Sequence, residues 1–523
     1  MKRILYPLLS FMLFACNDLD VIPLDTLTGS NFLKSDEDAV AAVNGVYNPY
    51  VYLSSTLTYI IDGASDATIS GEANLGGGGP DMASLTYDAA NSYVYTAWST
   101  FYTGITNANA LIEALSASDT GVTEPLRSRL LGEARFLRAL YYFYLVQLYG
   151  DVPLILHGDE GISATRNTVN EVYTQIVSDL GDATSALPLA YASGDDKGRA
   201  TQGAAYALLA KVNLVWAQTP GVNSPAEKYQ ASVAAADAVQ GYRLAPVYTD
   251  NWNKSLRDGV ENIFSQHHLQ GLAGSGDGGN HQSHCAFATT FSDETPHLVV
   301  TDISFYDRFD DSDQRKAGSY LAEATNPENN QTTHYTLPRF RKYIDVDNLV
   351  ASATSRDFDR TILRYADVLL IKAEALNELG RTTEAIIPVN QVRHRAYKVG
   401  DYADGTATVT VEDISYAAGI SQYDLKRAIR RERYLEFVYE QNRWFDLVRW
   451  KVLVKTIKKV APSKDQNKAG NIELKYYRFP IPQSQRDLNP DGLWQNWGYE
   501  GATVANPYAG SEYENANEDD GWN

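Results

Sequence analysis

The sequence predicts a mainly α-helical protein, in which a helical solenoid carries long loop-rich insertions and few short strands. Residues 127–149 place apolar side chains at helical spacing, residues 168–186 do the same, and residues 359–397 repeat the pattern as a helix pair. Helix pairs of this kind bury, by stacking, faces that one pair leaves exposed, so several pairs in one chain indicate a solenoid.

Size and charge limit the possible functions. The chain has 523 residues, of which 44% are hydrophobic, so it can form a sizeable core without the help of disulfides or structural metal ions. The formal net charge of −20 leaves no basic surface for a phosphate backbone, which excludes nucleic acid as a partner. The charge also disfavours sulfated or uronate-rich glycans, without forbidding a local basic pocket.

The N-terminus is predicted to be a processing signal. Lys2 and Arg3 precede an apolar run at residues 4–15, which is too short to span a bilayer. Leu13-Phe14-Ala15-Cys16 resembles a bacterial lipobox, so residues 1–15 are predicted to be a lipoprotein signal peptide and Cys16 the lipidated residue of a tether at 16–35. The alternative is that Cys16 is a chance thiol after an ordinary signal. Cleavage before Cys16 changes the formal charge to −22.

The first half of the remaining chain is predicted to alternate helices with one long loop region. A short amphipathic helix is expected at 36–47 within a scaffold segment at 36–61, and a loop-rich stretch at 62–95 contains four consecutive glycines followed by Pro80. The rest of the scaffold is expected at 95–240. Its predicted helices lie at 95–117, 127–149, 168–186, 200–217 and 226–240.

The second half is predicted to continue the scaffold after an interruption. Residues 241–358 are expected to be loops and strands, and the scaffold returns at 359–450 with Ile362 on its first helix. The segment 373–386 resembles a tetratricopeptide helix pair, with Gly380 where a helix would end. Residues 451–523 form a C-terminal region, and its acidic tail after residue 505 is expected on the surface. All of 36–523 is expected to be one domain.

Charged side chains between residues 430 and 449 allow two interpretations. Their spacing of three and four residues favours an ion-pair network that fixes helix packing, rather than a catalytic carboxylate site. A glycosidase needs two carboxylates opposed across a cleft, and nothing in the sequence singles out such a pair. We therefore predict a protein that is not an enzyme.

Five of the eight histidines lie between residues 267 and 297. His281-Gln282-Ser283-His284-Cys285 has the residue types of a metal site, but the surrounding sequence is rich in glycine, which favours a ligand-binding loop. We predict no metal and no cofactor. Zinc binding stays open as the alternative.

Several blocks, in one order, closely resemble the SusD/RagB-type outer-membrane nutrient-binding lipoproteins. Gly150-Asp151-Val152-Pro153-Leu154 is one of them. The others lie at 133–143, 168–173, 179–180, 198–200, 363–370, 431–433, 436–437, 443–450, 480–482, 488–490 and 495–496. Gln441, Gln485 and Trp497 depart from the family pattern, where Gly, Glu and Pro are common.

This resemblance implies a tetratricopeptide-like scaffold with a loop-built binding face. It also implies a lipid anchor in the outer membrane, facing the cell exterior, and a SusC-like TonB-dependent porin as partner. The ligand would be an oligosaccharide or polysaccharide. Two alternatives stay open, namely RagB-type peptide capture and a tetratricopeptide adaptor that binds only protein.

Glycan binding requires aromatic faces for sugar C–H surfaces and polar side chains for hydroxyls. Aromatic residues within helices, such as Trp98, Tyr141 and Trp444, are expected in the core. Loops carry function more often, so the candidate ligand contacts are taken from the two loop regions. They are Asp66, Tyr87, Tyr93, His267, His268, Phe287 and Phe291.

Overall fold

A computed structural model describes most of the chain after residue 32. The described residues are 33–69, 78–117, 121–158, 161, 163–192, 194–267, 300–301, 303–326, 329–343, 359–460, 466–510, 513 and 518–522. Over these residues the protein is mainly helical, with few short strands, which confirms the predicted fold class. No helix in this part of the chain has the length and apolarity needed to cross a membrane.

Long helices build the scaffold and short ones lie in the connections. The long helices are α1 (Asp36–Leu57), α3 (Ser92–Ser116), α4 (Leu126–Tyr149), α5 (Val169–Ala186), α6 (Gln202–Ala217), α7 (Pro225–Asp237), α10 (Tyr365–Glu378), α11 (Thr382–Ala396) and α13 (Gln422–Phe437). The short helices are α2 (Gly79–Ser84), α8 (Ile303–Tyr306), α9 (Gln314–Ser319), α12 (Val411–Ile414), α14 (Arg443–Arg449), α15 (Leu453–Val460), α16 (Gln466–Asn471) and α17 (Gln483–Leu488).

Several single turns have other helical geometry. A π-helical turn, Thr58–Gly63, directly follows α1. Turns of 3-10 helix lie at Gly194–Asp196, Tyr248–Trp252, Lys254–Leu256, Gly400–Tyr402 and Leu474–Tyr477.

The strands form antiparallel pairs. They are β1 (Thr68–Ile69) with β5 (Val300–Thr301), β2 (Val152–Pro153) with β3 (Arg166–Asn167), β4 (Asn262–Gln266) with β8 (Arg360–Arg364), and β6 (Tyr320–Thr325) with β7 (Thr332–Phe340). The register of β4 against β8 is irregular on both sides of Phe264.

Consecutive helices pack against each other along the scaffold. α4 contacts α1, α3 and α5, and α5, α6 and α7 follow in sequence before α7 meets α10. Because α4 is apolar nearly all round, it is buried between neighbours on several sides. Its Tyr141 lies so close to α3 that a Cβ on Gly104 would come within 2.3 Å of the ring, so only glycine fits there. Trp98, Tyr141 and Trp444 lie in the core, as predicted.

The structure confirms the predicted helices at 95–117, 127–149, 168–186, 200–217 and 226–240 to within a few residues. The predicted end of the first helix is wrong, since α1 continues through Pro49 to Leu57. Proline lacks the N–H that would bond the Gly45 carbonyl in a helix. Asn107 Nδ2 of α3 donates to that carbonyl at 2.9 Å, so the helix continues without an unpaired group.

The predicted position of Ile362 on a helix is also wrong. Ile362 lies in β8, and helix α10 begins only at Tyr365. The backbone of β8 pairs with β4, a partner almost 100 residues earlier in the chain. This long-range pairing overrides the local helical spacing of the apolar residues.

A network of buried ion pairs joins α13 to the rest of the protein. Glu436 accepts hydrogen bonds from Arg364 at 2.6 Å, Arg315 at 3.3 Å and Arg395. Arg364 also binds Glu440 and Glu261, and all of these side chains are almost completely buried. The interpretation as an ion-pair network is therefore confirmed. The partners, however, lie on α9, β8, α11 and the residue before β4, instead of one helical turn away.

The expectation that the acidic tail lies on the surface is wrong for its described end. Asp519 is 5% exposed and pairs with Arg427, while Asp520 is 3% exposed and binds Arg443 at 2.8 Å. The arginines of α13 and α14 outnumber the carboxylates close to them in sequence. The tail supplies two of the missing partners, because a buried guanidinium without a counter-charge is costly.

Asp62, in the π-helical turn, is a buried carboxylate of a different kind. Its Oδ1 accepts a hydrogen bond from the backbone N–H of Gln441 at 3.3 Å, and its side chain is 1% exposed. Burial raises the pKa of Asp62 to about 7, although the positive charges of Arg360 and Lys342 lower it.

We predict that Glu436→Gln strongly destabilises the protein. The substitution keeps the shape of the side chain but leaves three buried arginines short of one negative charge, which costs about 3–5 kcal/mol. Urea unfolding measures the loss. The matched control is Glu384→Gln, because Glu384 forms an exposed pair with Arg381, and its removal should leave stability almost unchanged. Equal effects of the two substitutions would contradict the prediction.

Asp62 should make the protein less stable as the pH rises. Between its ordinary pKa of 3.8 and about 7, the folded protein keeps a proton on Asp62 that the unfolded chain has lost. From pH 5 to pH 7 this group alone removes about 2–3 kcal/mol of unfolding free energy, with little further loss above pH 7. Asp62→Asn should abolish this component. The measurement is the unfolding free energy of both proteins from pH 5 to 8, and parallel curves would refute the assignment.

Candidate functional site

One cavity of about 250 Å³ lies where the first loop after α5, helix α1 and strand β4 meet. We call it the His267 cavity, after the predicted ligand contact that lines it. Its walls come from α1, α4, the turn before α6, β4 and β8. They consist of Asn44, Tyr47, Tyr50, Leu137, Leu140, Lys197, Gly198, Arg199, Phe264, Ser265, Gln266, His267 and Ile362.

One wall is held in place by the buried carboxylate of Glu133. Tyr47 Oη donates to Glu133 Oε2 at 2.9 Å, and Arg199 Nη1 donates to the same oxygen at 3.1 Å. Arg199 Nη2 also donates to Asn44 Oδ1 at 2.8 Å. Burial raises the pKa of Glu133 above its ordinary value, although Arg199 and Tyr47 both lower it. The aromatic ring of Tyr47 and the guanidinium of Arg199 are thus fixed before any ligand arrives.

Strand β4 supplies four successive residues to the cavity. In a regular strand, neighbouring side chains point to opposite faces, but the irregular register at Phe264 re-aims them. Phe264 packs edge-on against Phe136 at 5.0 Å between ring centroids and tilts toward Tyr47 at 6.5 Å. Aromatic surface therefore lies next to the polar end of the strand.

Ser265 and Gln266 are buried polar side chains without partners. Ser265 is 7% exposed and Gln266 is 6% exposed, and neither the Ser265 hydroxyl nor the two polar atoms of the Gln266 amide bonds to any described residue. An unpaired buried polar group costs about 1–3 kcal/mol. A folded protein rarely carries three such atoms side by side, and each one in a cavity wall is suited to bond a ligand.

His267 closes the same wall and is the one predicted contact that the structure places in this cavity. Its Nε2 lies 2.8 Å from Asp258 Oδ1 and 3.7 Å from Asp359 Oδ2. Burial lowers the pKa of His267, but the hydrogen bond to Asp258 and the charge of Asp359 outweigh it, and the pKa is raised above 6.5. Gly198 has a φ of +86°, and a Cβ there would come within 2.4 Å of the imidazole, so only glycine fits beside it.

The structure places the other described candidates elsewhere. Asp66 is 3% exposed and binds Arg443 through both carboxylate oxygens, each at 2.8 Å. Tyr87 is 2% exposed and packs against Tyr476 and Phe479. Neither side chain has a free surface for a sugar ring in this structure.

Tyr93 is half-buried in the first turn of α3. Its ring stacks on Tyr59 at 5.0 Å between centroids, and it does not line the His267 cavity. Its role as a ligand contact stays a prediction. Cys16, His268, Phe287 and Phe291 lie outside the described residues, as does the possible metal segment at 281–285.

Four polar or aromatic residues of this cavity, Tyr47, Arg199, Ser265 and Gln266, carry only weak sequence signals of a binding role. In the sequence, Tyr47 is one apolar-face residue of a predicted helix and Arg199 follows a glycine in a predicted turn. Ser265 and Gln266 are a polar pair directly before the histidine-rich segment. Among the described residues, no group of three or more His, Cys, Asp and Glu side chains is arranged to hold a metal ion. No Asp or Glu is among the described residues that line the cavity.

Comparison with known proteins gives a consistent result along the chain. A sequence profile described as the SusD family matches residues 274–499, and a second, described as starch-binding associating with outer membrane, matches residues 54–214. SusD-like protein P2 of Formosa agariphila is 27% identical over 527 residues, covering 95% of this chain and 99% of that protein. A SusD-like protein of Bacteroides ovatus is 27% identical over 467 residues, covering 83% and 80%.

Solved structures share the fold. A SusD homologue from Bacteroides thetaiotaomicron superposes with a TM-score of 0.75 at 24% identity, covering 90% of this chain and 98% of that one. A structure described as a laminarin binding SusD-like protein superposes with a TM-score of 0.69 at 26% identity, covering 89% and 100%. Sequence profiles over both halves, relatives along nearly the full length and the shared fold agree, and they identify the chain as a SusD-like protein.

Proposed function

We propose that this protein captures an oligosaccharide at the cell surface without cleaving it. The observation that carries the proposal is the set of unpaired polar atoms on Ser265 and Gln266, buried beside the aromatic rings of Tyr47 and Phe264. Sugar rings present hydroxyls and C–H faces together, which matches this combination. A relative of the same fold is described as laminarin binding, which supports a neutral glycan as the ligand.

The lining of the cavity favours binding over hydrolysis. Glycoside hydrolysis uses two carboxylates about 5–9.5 Å apart across the bond that is cleaved. The described lining offers Arg199, His267 and amide groups instead. These groups hold hydroxyls but do not supply the acid and nucleophile or base that the reaction needs.

The proposed cellular role is delivery to a SusC-like TonB-dependent transporter in the outer membrane. The protein would be tethered there by lipid on Cys16, facing the cell exterior, and the supporting observations are the lipobox-like sequence and the family membership. Binding would be weak and reversible, because the ligand has to pass on to the transporter. Lipid chains contribute about 0.8 kcal/mol for each buried CH₂, so a multiply acylated Cys16 suffices as anchor.

Gln266→Leu should separate ligand binding from folding. The substitution removes two unpaired polar atoms, so the free protein should be as stable as before or more stable, whereas binding of a neutral glycan should weaken at least about tenfold. Calorimetry against a panel of neutral glycans and oligopeptides measures affinity, and urea unfolding measures stability.

The matched control is Gln495→Leu. Gln495 is completely buried, but its amide bonds the N–H and the carbonyl of Ile481, so this control should lose stability. Unchanged glycan affinity in Gln266→Leu would contradict the proposed site. Binding of peptides and not glycans would favour the peptide-capturing alternative, and release of shorter sugars by the purified protein would exclude a purely binding role.

Cys16→Ser should release the protein from the membrane. Serine cannot carry the thioether-linked lipid, so the variant should move from the membrane fraction to the soluble fraction of cells that export it. Detergent-phase partitioning and labelling with radioactive palmitate provide the measurement. A variant that stays in the membrane fraction would show that another feature holds the protein there.

A further inference from the structure

A second cavity, of about 270 Å³, lies at the opposite ends of the scaffold helices. It forms where α4 ends and α5 begins, next to the end of α6, helix α14 and the C-terminal segment, and it shares no lining residue with the His267 cavity. We call it the Arg166 cavity. Aromatic side chains make up much of its wall, namely Tyr173, Phe445, Tyr477, Trp494, Trp497, Tyr508 and Tyr513.

The aromatic wall is preorganised by contacts among its own rings. Tyr477, Tyr508 and Tyr513 lie within 5.0–5.3 Å of one another between ring centroids, and Trp497 lies 6.1 Å from Tyr508. Trp494 and Trp497 are half-buried, so part of each indole remains accessible. Such surfaces suit the C–H face of a sugar ring.

Arg166 is buried in this cavity without a counter-ion. Its guanidinium donates to the backbone carbonyls of Asp151 and Trp494 and to Asn496 Oδ1, all of which are neutral acceptors. Burial lowers the pKa of Arg166 to about 10, partly offset by Asp151, so the group is still charged at neutral pH. Its positive charge is therefore only partly compensated, by the charge of Asp151, and no carboxylate of the described residues bonds the guanidinium directly.

Arg478 adds a second positive charge, and some of its N–H donors make no hydrogen bond to the described residues. Its Nη1 donates to the carbonyls of Gln147 and Tyr477, each at 3.2 Å, while its Nε and Nη2 make no bond to any described residue. Neither guanidinium has a carboxylate oxygen within 4.0 Å in the described part of the chain. Arg364 and Arg433, by contrast, each bind two or more carboxylates.

The remaining charges of the wall keep it positive. Arg449 also lines the cavity, but its charge is neutralised by Glu374 and Asp446. Asp151 is the one acidic residue among the described lining residues, and its Oδ1 accepts the backbone N–H of Val169. An excess of cations thus collects at one site of a protein whose formal net charge is −20.

We propose that the Arg166 cavity binds an anionic saccharide unit. The oxyanion, a carboxylate or a sulfate ester, would bond the free donors of Arg478 within the positive field of Arg166, and the ring would pack on Trp494 or Trp497. Arg478 is the group that contacts the ligand, since the bonds of Arg166 to three backbone carbonyls and to Asn496 Oδ1 already use most of its donors. This site is independent of the glycan site proposed for the His267 cavity.

Calorimetry on the full chain tests the proposal with three trisaccharide probes. A galacturonate trimer and a sulfated galactose trimer carry the two oxyanions, and a neutral galactose trimer is the reference. At least one acidic probe should bind more tightly than the neutral one. Arg478→Gln should weaken its binding at least about tenfold, the loss expected for a hydrogen bond to a charged group. The comparison of the two acidic probes identifies the oxyanion.

Three further variants keep the result interpretable. Arg381→Gln removes the same charge from an exposed arginine and should leave binding of the acidic probe unchanged. Trp497→Ala tests the aromatic contact and should weaken the acidic probe even if Arg478→Gln fails to fold. Gln266→Leu should affect only the neutral glycans of the first site. No tighter binding of either acidic probe, or equal affinity in the wild type and both cavity variants, would overturn the proposal.

Discussion

The buried bonds between Glu436 and its arginines are the constraint on which the rest of the structure depends. Arg364 ends strand β8, Arg395 lies near the end of α11 and Arg315 lies in α9, so one carboxylate of α13 holds three separate elements. Glu261 extends the network by binding Arg364 and Arg395 directly before β4. A charge network of this kind contributes little net stability, because desolvation opposes it, but it penalises every arrangement that leaves a charge unpaired. It therefore determines where β4 lies, and with β4 the polar wall of the His267 cavity.

Both cavities contain buried polar or charged groups that the described residues do not fully satisfy. Arg364, Arg395 and Arg433, by contrast, have carboxylate partners, and the Gly45 carbonyl that Pro49 leaves without a helical partner is bonded by Asn107. In the His267 cavity the amide of Gln266 is unpaired, and in the Arg166 cavity no carboxylate of the described residues bonds either Arg166 or Arg478. Proteins tolerate buried groups without partners mainly where a bound ligand supplies the missing hydrogen bond or counter-charge. The deficits also differ in kind, since neutral hydroxyls satisfy the first and only an anion satisfies the second.

The sequence predicted the helices well because their apolar spacing is local, and the family blocks predicted the fold. It could not assign partners across long separations. The charges of α13 and α14 have the spacing of pairs within a helix, yet only Asp446 and Arg449 form such a pair among the described residues of that run. Tyr87 looked like a loop aromatic, but the chain around it turns inward onto Phe479. At Gln441 the family pattern was informative about the backbone. Glycine is common at this position in the family, and Gln441 has a φ of +56°, a conformation that glycine adopts readily.

The overall charge acts on the two sites in different ways. At a formal charge near −20, an anionic saccharide is repelled at long range, and salt screens this repulsion over about 8–10 Å. The contact with Arg478 acts at short range in a partly desolvated wall, where screening is weaker. Raising the salt concentration should therefore speed the approach of an acidic ligand more than it loosens the bound state, whereas a neutral ligand of the His267 cavity experiences neither effect. A low affinity for acidic glycans at low salt would thus reflect the field of the whole protein, and only the dependence on Arg478 reports on the cavity itself.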